Sequence, residues 1–378
     1  PLYFLQLRRS SVLRQHAIGE ILNIPSRNSK PSFLRALLNL IFKPKPPTPG
    51  RVVPPDNAIE PVHSVTSRVL LAIYNPVMDP VSGVKLSQLM QWQSPDDLAH
   101  AYIQDILETS GGMARYQIVQ RVELNEFPVK NDGYRYDPQT YLDALRGVQP
   151  PHHPEGADYQ AILIQLNILP RISMREIDEV WLFAFPQAGF FESSMGGTGA
   201  FWCNSGPMTW TSGCTRRFIV MGFSYERGVG EMLESFGHRS ESLVSKVFNC
   251  QDFVAWAYTR DRAPATVGPN LNLFQQFLSF DQIAPGKAGV GTIHYAPNSD
   301  QDYDWNNLRK VPSNCYDWVN FPKFQNDFRQ VSTEEWGNGD IRAHHKWWLK
   351  HLPKVAGRTS GVANNWWQYM LDPNLINP

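Results

Sequence analysis

The sequence predicts an α/β fold: a central, largely parallel sheet with flanking helices, followed by a loop-rich, tryptophan-rich C-terminal region. Two observations carry this. From about residue 61 to 260, short continuous apolar runs alternate with longer helical stretches, the pattern of strands buried on both faces by crossover helices. Beyond residue 260 the helical periodicity fades and Pro, Asn, Asp and Trp dominate.

The first apolar run, Val69 to Tyr74, reads as a buried strand closed by Asn75-Pro76. Ser94-Pro95-Asp96-Asp97 then supplies an N-cap, a proline at the first helical position and early acids, opening a helix through about Glu108 that Gly111-Gly112 stops. Tyr116 to Leu124 is the next strand, and Pro138 to Leu145 and Asp158 to Leu169 have helical spacing. Glu179 to Phe185 and Arg217 to Met221 are further apolar strands, the second leading through Gly222 into a long helix. In the C-terminal region, 261–378, Trp305, Trp318, Trp336, Trp347, Trp348, Trp366 and Trp367 give enough aromatic surface to pack on the 61–260 core or wall a cleft. Residues 1–60 read as a poorly structured extension. It contains a short apolar stretch, Leu34 to Phe42, and ends in the proline-rich linker Lys43 to Gly50.

Charge excludes some functions. Lys+Arg and Asp+Glu both total 35, so the basic footprint of a nucleic-acid or anionic-membrane binder is missing. The longest apolar stretch, Leu34 to Phe42, is too short to span a bilayer and contains Arg35 and Asn39. Cys203, Cys214, Cys250 and Cys315 lack the C-x-x-C spacing of a zinc site or redox dithiol. Their even number suits two disulfides, Cys203 with Cys214 and Cys250 with Cys315, and hence an extracellular or periplasmic location; four buried free thiols are the alternative.

The segment that carries chemistry is the helix after Gly222. At 100° per residue Glu231, Glu234, His238 and Glu241 fall within an arc of about 80°, opposite Val229, Met232, Leu233, Phe236, Leu243 and Val247. Three carboxylates and an imidazole on one strip, without a lysine, repel one another unless a cation compensates. They suit a divalent metal, zinc, manganese or calcium, or a general acid and base. Glu234 and His238, at i and i+4, are the first-choice ligands, with His344 or His345 joining from the tail. The other reading of the strip is a solvated face with internal ion pairs, Arg227 included.

Other motifs offer weaker alternatives. Gly222-Phe223-Ser224-Tyr225-Glu226 resembles the nucleophile elbow of α/β-hydrolases, which makes Ser224 an alternative nucleophile. Glu226 stands where the motif has its last glycine, and Asp252 or Asp304 with His294, His344 or His351 would have to complete a triad. Asp300-Gln301-Asp302-Tyr303-Asp304 has the alternating acids of a calcium loop but not the glycine or final glutamate of an EF-hand. Met195-Gly196-Gly197-Thr198-Gly199 reads as a flexible loop near a site, with Glu192 just before it. It has the spacing of neither a P-loop nor a dinucleotide fingerprint, so no nucleotide is expected. Together these suggest an exported hydrolase acting on a carbohydrate or cell-surface polymer through a Glu/His site, with Trp347, Trp348, Trp366 and Trp367 stacking on the substrate. A non-enzymatic extracellular glycan-binding or surface interaction protein is the competing class.

Overall fold

A computed structural model describes residues 62–259 and 267–377; the 1–60 extension and its linker lie outside the described residues. The apolar runs become strands β1 (Val65–Tyr74), β2 (Ala114–Leu124), β3 (Glu179–Ala184) and β5 (Phe218–Ser224), with β4 (Ser193–Gly196) between the last two. They form one sheet in the order β2-β1-β3-β5-β4, parallel except for β4, which runs antiparallel to β5 at the edge. The α/β reading therefore holds. β3 is buried along its whole length, which is why it reads as a continuous rather than alternating apolar run.

The glycine-rich stretch is not the loop expected. Met195 and Gly196 belong to β4, and Gly197 turns the chain with φ +93 where a Cβ would lie 1.9 Å from the Arg216 carbonyl. Only glycine fits that position.

Helix α1 (Pro95–Thr109) starts at Ser94, whose side chain accepts the Asp97 N–H. Asp137 caps α2 (Pro138–Leu145) in the same way through Thr140. The single helix expected over Asp158 to Leu169 is two, α3 (Tyr159–Gln165) and α4 (Ile168–Ser173), because Asn167 adopts φ 52 between them. After β5 come α5 (Val229–Val247), α6 (Gln251–Thr259) and α7 (Leu273–Leu278). The tail holds α8 (Ile341–Lys350) and α9 (Trp367–Leu371) among short hairpins and 3₁₀ turns.

From β1 the chain moves outward to β2 and returns past β1 to β3, so the crevice at the carboxyl ends of β1 and β3 is where an open α/β sheet usually binds ligands. Here it is filled. The Tyr225 hydroxyl donates to the Tyr74 carbonyl (3.0 Å) and Tyr141 to that of Pro186 (3.2 Å). Buried Lys130 donates to the Glu155 carbonyl at 2.7 Å and to that of Gln187 at 2.5 Å.

The tail shares one hydrophobic core with the sheet. Trp336, Trp348, Trp366 and Trp367 are each 0–1% exposed, and Trp366 meets Phe274, Phe277 and Trp318 in edge or tilted ring contacts. This corrects the substrate-stacking role expected of Trp348, Trp366 and Trp367: their faces are spent on the core. Trp347 is half-buried against Trp336 and His351.

The cysteines also need correction. Cys203, Cys214, Cys250 and Cys315 are free and buried. The loop between the first two directs Cys203 to Ser193 of β4 (3.5 Å) and Cys214 to Ser173 of α4 (3.4 Å) instead of to each other. Burial pushes the Cys203, Cys250 and Cys315 thiols up to about 11, so they pack as small apolar groups. They no longer argue for an oxidising compartment. Among the described residues, no helix is long and apolar enough to cross a membrane.

Candidate functional site

Helix α5 is enclosed on nearly every side. Between Val229 and Ser245 only Glu231 and Ser242 escape burial, because α5 is flanked by α1, α6, α8 and α9. The carboxylate and imidazole strip is therefore not a solvated face. Close approach is built in at Gly237, where a Cβ would meet the Ile293 side chain at 2.4 Å. The missing side chain lets the 291–295 loop lie on the helix and brings His294 beside His238.

Glu234, His238 and His294 each offer a ligand atom, all within 4.8 Å of one another, and all three residues are buried. His238 Nε2 lies 2.9 Å from His294 Nε2, and His294 Nε2 is 3.1 Å from Glu234 Oε1. Each imidazole is fixed from behind by a carboxylate: His238 Nδ1 lies 3.3 Å from Glu241 Oε2, and His294 Nδ1 2.9 Å from Asp302 Oδ1. A carboxylate only accepts, so both rings carry their proton on Nδ1 and turn Nε2 lone pairs toward the same point. Glu241 is itself held by the Tyr258 hydroxyl (2.7 Å) and the Ile293 N–H (2.8 Å). The Tyr303 hydroxyl donates to Glu234 Oε1 at 2.8 Å.

Two imidazole lone pairs 2.9 Å apart, with a carboxylate oxygen beside them, need a cation between them. Without a metal a proton fills the role. Burial alone would lower His294, but Asp302 and Glu234 overcome it and hold the imidazole up to about 10. Burial likewise opposes ionisation of Glu234, yet the neighbouring His294 and His345 keep its carboxyl well below the usual range. A zinc ion would replace that proton. Ligand atoms on a tetrahedral zinc sit about 3.3 Å apart, so ring shifts of a few tenths of an ångström would seat one.

The strip read from the sequence is thus partly assembled. Glu234 and His238 meet as expected, and Glu241 supports them from behind. Glu231 does not join: its carboxylate caps α5 by accepting the Gly228 N–H (3.1 Å). Of the tail histidines, His345 points its Nε2 at Glu234 Oε2 from 3.8 Å, beyond hydrogen-bond reach, and among the described residues that buried nitrogen has no hydrogen-bond partner. His344 stands behind it, Nδ1 to Nδ1 at 3.0 Å, with its ring stacked on Trp305.

His294 and Asp302 are the members of this cluster that the helical pattern missed. The Asp300 to Asp304 segment is no calcium loop. Asp302 serves His294, Asp300 pairs with Arg309 (2.9 Å), and Asp304 accepts the Asp300 N–H (2.9 Å). Ser224 is also set aside: its buried hydroxyl has no hydrogen-bond partner, so no base activates it. Glu192, read only as a neighbour of a glycine loop, is half-buried, and its charge bears on both His238 and Tyr303.

No protein-family model matches the chain, and no curated protein or solved structure matches it significantly, so the reading of this site rests on its own geometry.

Proposed function

We propose that Glu234, His238 and His294 hold a zinc ion and that the protein is a metal-dependent hydrolase. The observation that carries this is the convergence of two Nδ1-locked histidines and a carboxylate oxygen on one point. One carboxylate and two imidazoles recur as the ligand set of zinc hydrolases, where the fourth position holds water. Bound zinc supplies a Lewis acid that brings the pKa of that water near neutrality. The protein's groups supply the rest. Glu241 and Asp302 fix the histidine tautomers, Tyr303 orients Glu234, and Glu192, whose carboxylate accepts the Asn204 amide and whose charge acts on His238, is the proposed proton acceptor. Glu234 and His238 are 8% and 6% exposed, so a catalytic ion would have to reach water past these two residues. Water would add across a scissile acyl, phosphoryl or glycosyl bond. The buried tryptophans give no reason to single out a carbohydrate.

A second reading is favoured by His345. If its unpartnered Nε2 completes the ligand set, the ion is closed off and structural, and the protein belongs with the binding class. Elemental analysis of the purified protein, beside Glu234→Ala and His238→Ala variants, tests the centre itself: stoichiometric zinc in the parent and its loss in both variants is expected. Absence of bound metal in the parent, even after incubation with zinc, would remove the proposal. X-ray absorption separates the readings, since the catalytic site has two histidine nitrogens and oxygen ligands and the structural one has three histidine nitrogens.

A further inference from the structure

At the amino ends of β1, β3 and β5, the opposite end of the sheet from the filled crevice, Arg68, Arg216 and Arg217 face Asp178 and Asp372 around a cavity of ≈ 280 Å³. Both acids are already engaged. Asp178 receives Arg68 through Nε (2.8 Å) and Nη2 (3.0 Å), and Arg216 Nη1 at 3.0 Å. Asp372 accepts the backbone N–H and Nδ2 of Asn374 at 3.0 and 2.8 Å. Among the described residues, Arg217 has no carboxylate within ion-pair distance; the charge of Asp372 acts on it from further away. Its Nη2 donates to the Ile376 and Asn374 carbonyls (2.5 and 3.4 Å), while Nη1 is buried with no hydrogen-bond partner. The residue is 7% exposed.

Burying a guanidinium without a directly paired carboxylate is costly, and the neutral carbonyl acceptors and the charge of Asp372 offset only part of that cost. Burial accordingly holds Arg217 below its ordinary pKa. The wall carries three guanidiniums against two carboxylates, so the cavity is one negative charge short. Its volume is just under the roughly 300 Å³ lower bound for drug-sized ligands, which suits a small anion. A guanidinium's planar fork matches the paired oxygens of a carboxylate or phosphate.

We infer that this cavity binds a small oxyanion, a phosphate ester or a carboxylate, with Arg217 and Arg216 as its recognition groups. The inference is independent of the metal centre. Isothermal titration of the full chain with inorganic phosphate, and separately with succinate at matched ionic strength, tests it. Saturable binding of at least one probe is expected, weakened at least tenfold in Arg217→Gln. Binding of phosphate alone identifies a phosphate-type ligand; binding of succinate identifies a carboxylate. If Arg217→Gln does not fold, Arg216→Gln is read against the same tenfold criterion. Failure of both probes to saturate, or unchanged affinity in the folded variant, overturns the inference.

Discussion

Helix α5 carries two buried polar clusters on its two sides, and they differ in one respect. Toward the sheet, Arg239 is fully buried against Glu179, Nη1 to Oε1 at 2.6 Å. Its Nη2 donates to the Met370 carbonyl (2.5 Å), and Trp181 donates to Glu179 at 2.8 Å. One positive charge meets one negative charge. On the other side Glu234, Glu241 and Asp302 surround His238 and His294, so three carboxylates outweigh two imidazoles even if both are protonated. The helix-facing groups are buried on both sides, although the Asp302 side chain is 32% exposed; what separates the two clusters is cancellation of charge and lone pairs. A cluster that cancels internally holds the fold together, whereas one left with excess negative charge and converging lone pairs calls for a cation.

The comparison breaks most visibly on the sheet side. Glu179→Ala leaves Arg239 buried without a counter-charge and should cost about 3–5 kcal/mol of folding stability, measured by urea unfolding in the presence and absence of chelator. The loss should be the same in both conditions, because this pair has no part in the proposed metal site. A loss below about 1 kcal/mol would mean that the Met370 carbonyl suffices for the guanidinium, and the contrast between the two sides would fail.

A buried histidine outside the cluster supplies a control. His351 donates through Nδ1 to the Trp347 carbonyl (2.7 Å). Burial pushes it down to about 4, with Lys354 adding to the effect and the carbonyl opposing it. The unfolded chain takes up this proton near pH 6.5 and the folded protein only near pH 4. His351 therefore contributes stability that is fully present above pH 6.5 and lost as the pH falls toward 4. The loss is at most about 3 kcal/mol. His351→Gln should flatten the stability profile of the parent over that window. A parallel profile would show that His351 is not a neutral, satisfied imidazole and would remove the control.

These distinctions were unevenly legible in the sequence. The strands were, because a strand covered on both faces leaves a continuous apolar run; so was the polar strip of α5, because its period is fixed by helix geometry. Glu231 shared the strip's angle but sits at the third helical position, where its backbone role as a cap overrides the face it lies on. His294 was harder. It comes from a loop 56 residues beyond His238, where no period links one residue to the next. The local signals were polar residues embedded in an otherwise apolar, glycine-rich segment, Gly291-Thr292-Ile293-His294-Tyr295, and an acid eight residues later. The tryptophans pack on the core as one of the two expectations has it, but their stacking role fails because aromatic content alone does not separate a core from a binding surface. The disulfides expected of the cysteines fail, and the alternative of buried free thiols holds, because an even count does not supply the distance a disulfide needs.

The smallest predicted effect bears most directly on the metal side of the comparison. Glu241 touches no proposed ligand atom; it fixes the His238 tautomer from behind and is held by Tyr258 and Ile293. Replacing such a carboxylate usually costs 10–100-fold in metal affinity, about 1.4–2.7 kcal/mol. Glu241→Gln keeps an oxygen to accept the Ile293 N–H, so the fold should persist while zinc affinity falls within that range, measured by competition with a chromophoric chelator. Asp302→Asn should act in the same way on His294. A fall beyond about a thousandfold would make Glu241 a ligand in its own right, with His238 turned to bind through the other nitrogen. No change in either variant would mean that the two histidines are not oriented by their carboxylates, and the lone-pair convergence that distinguishes this side of α5 from the Arg239 side would lose its basis.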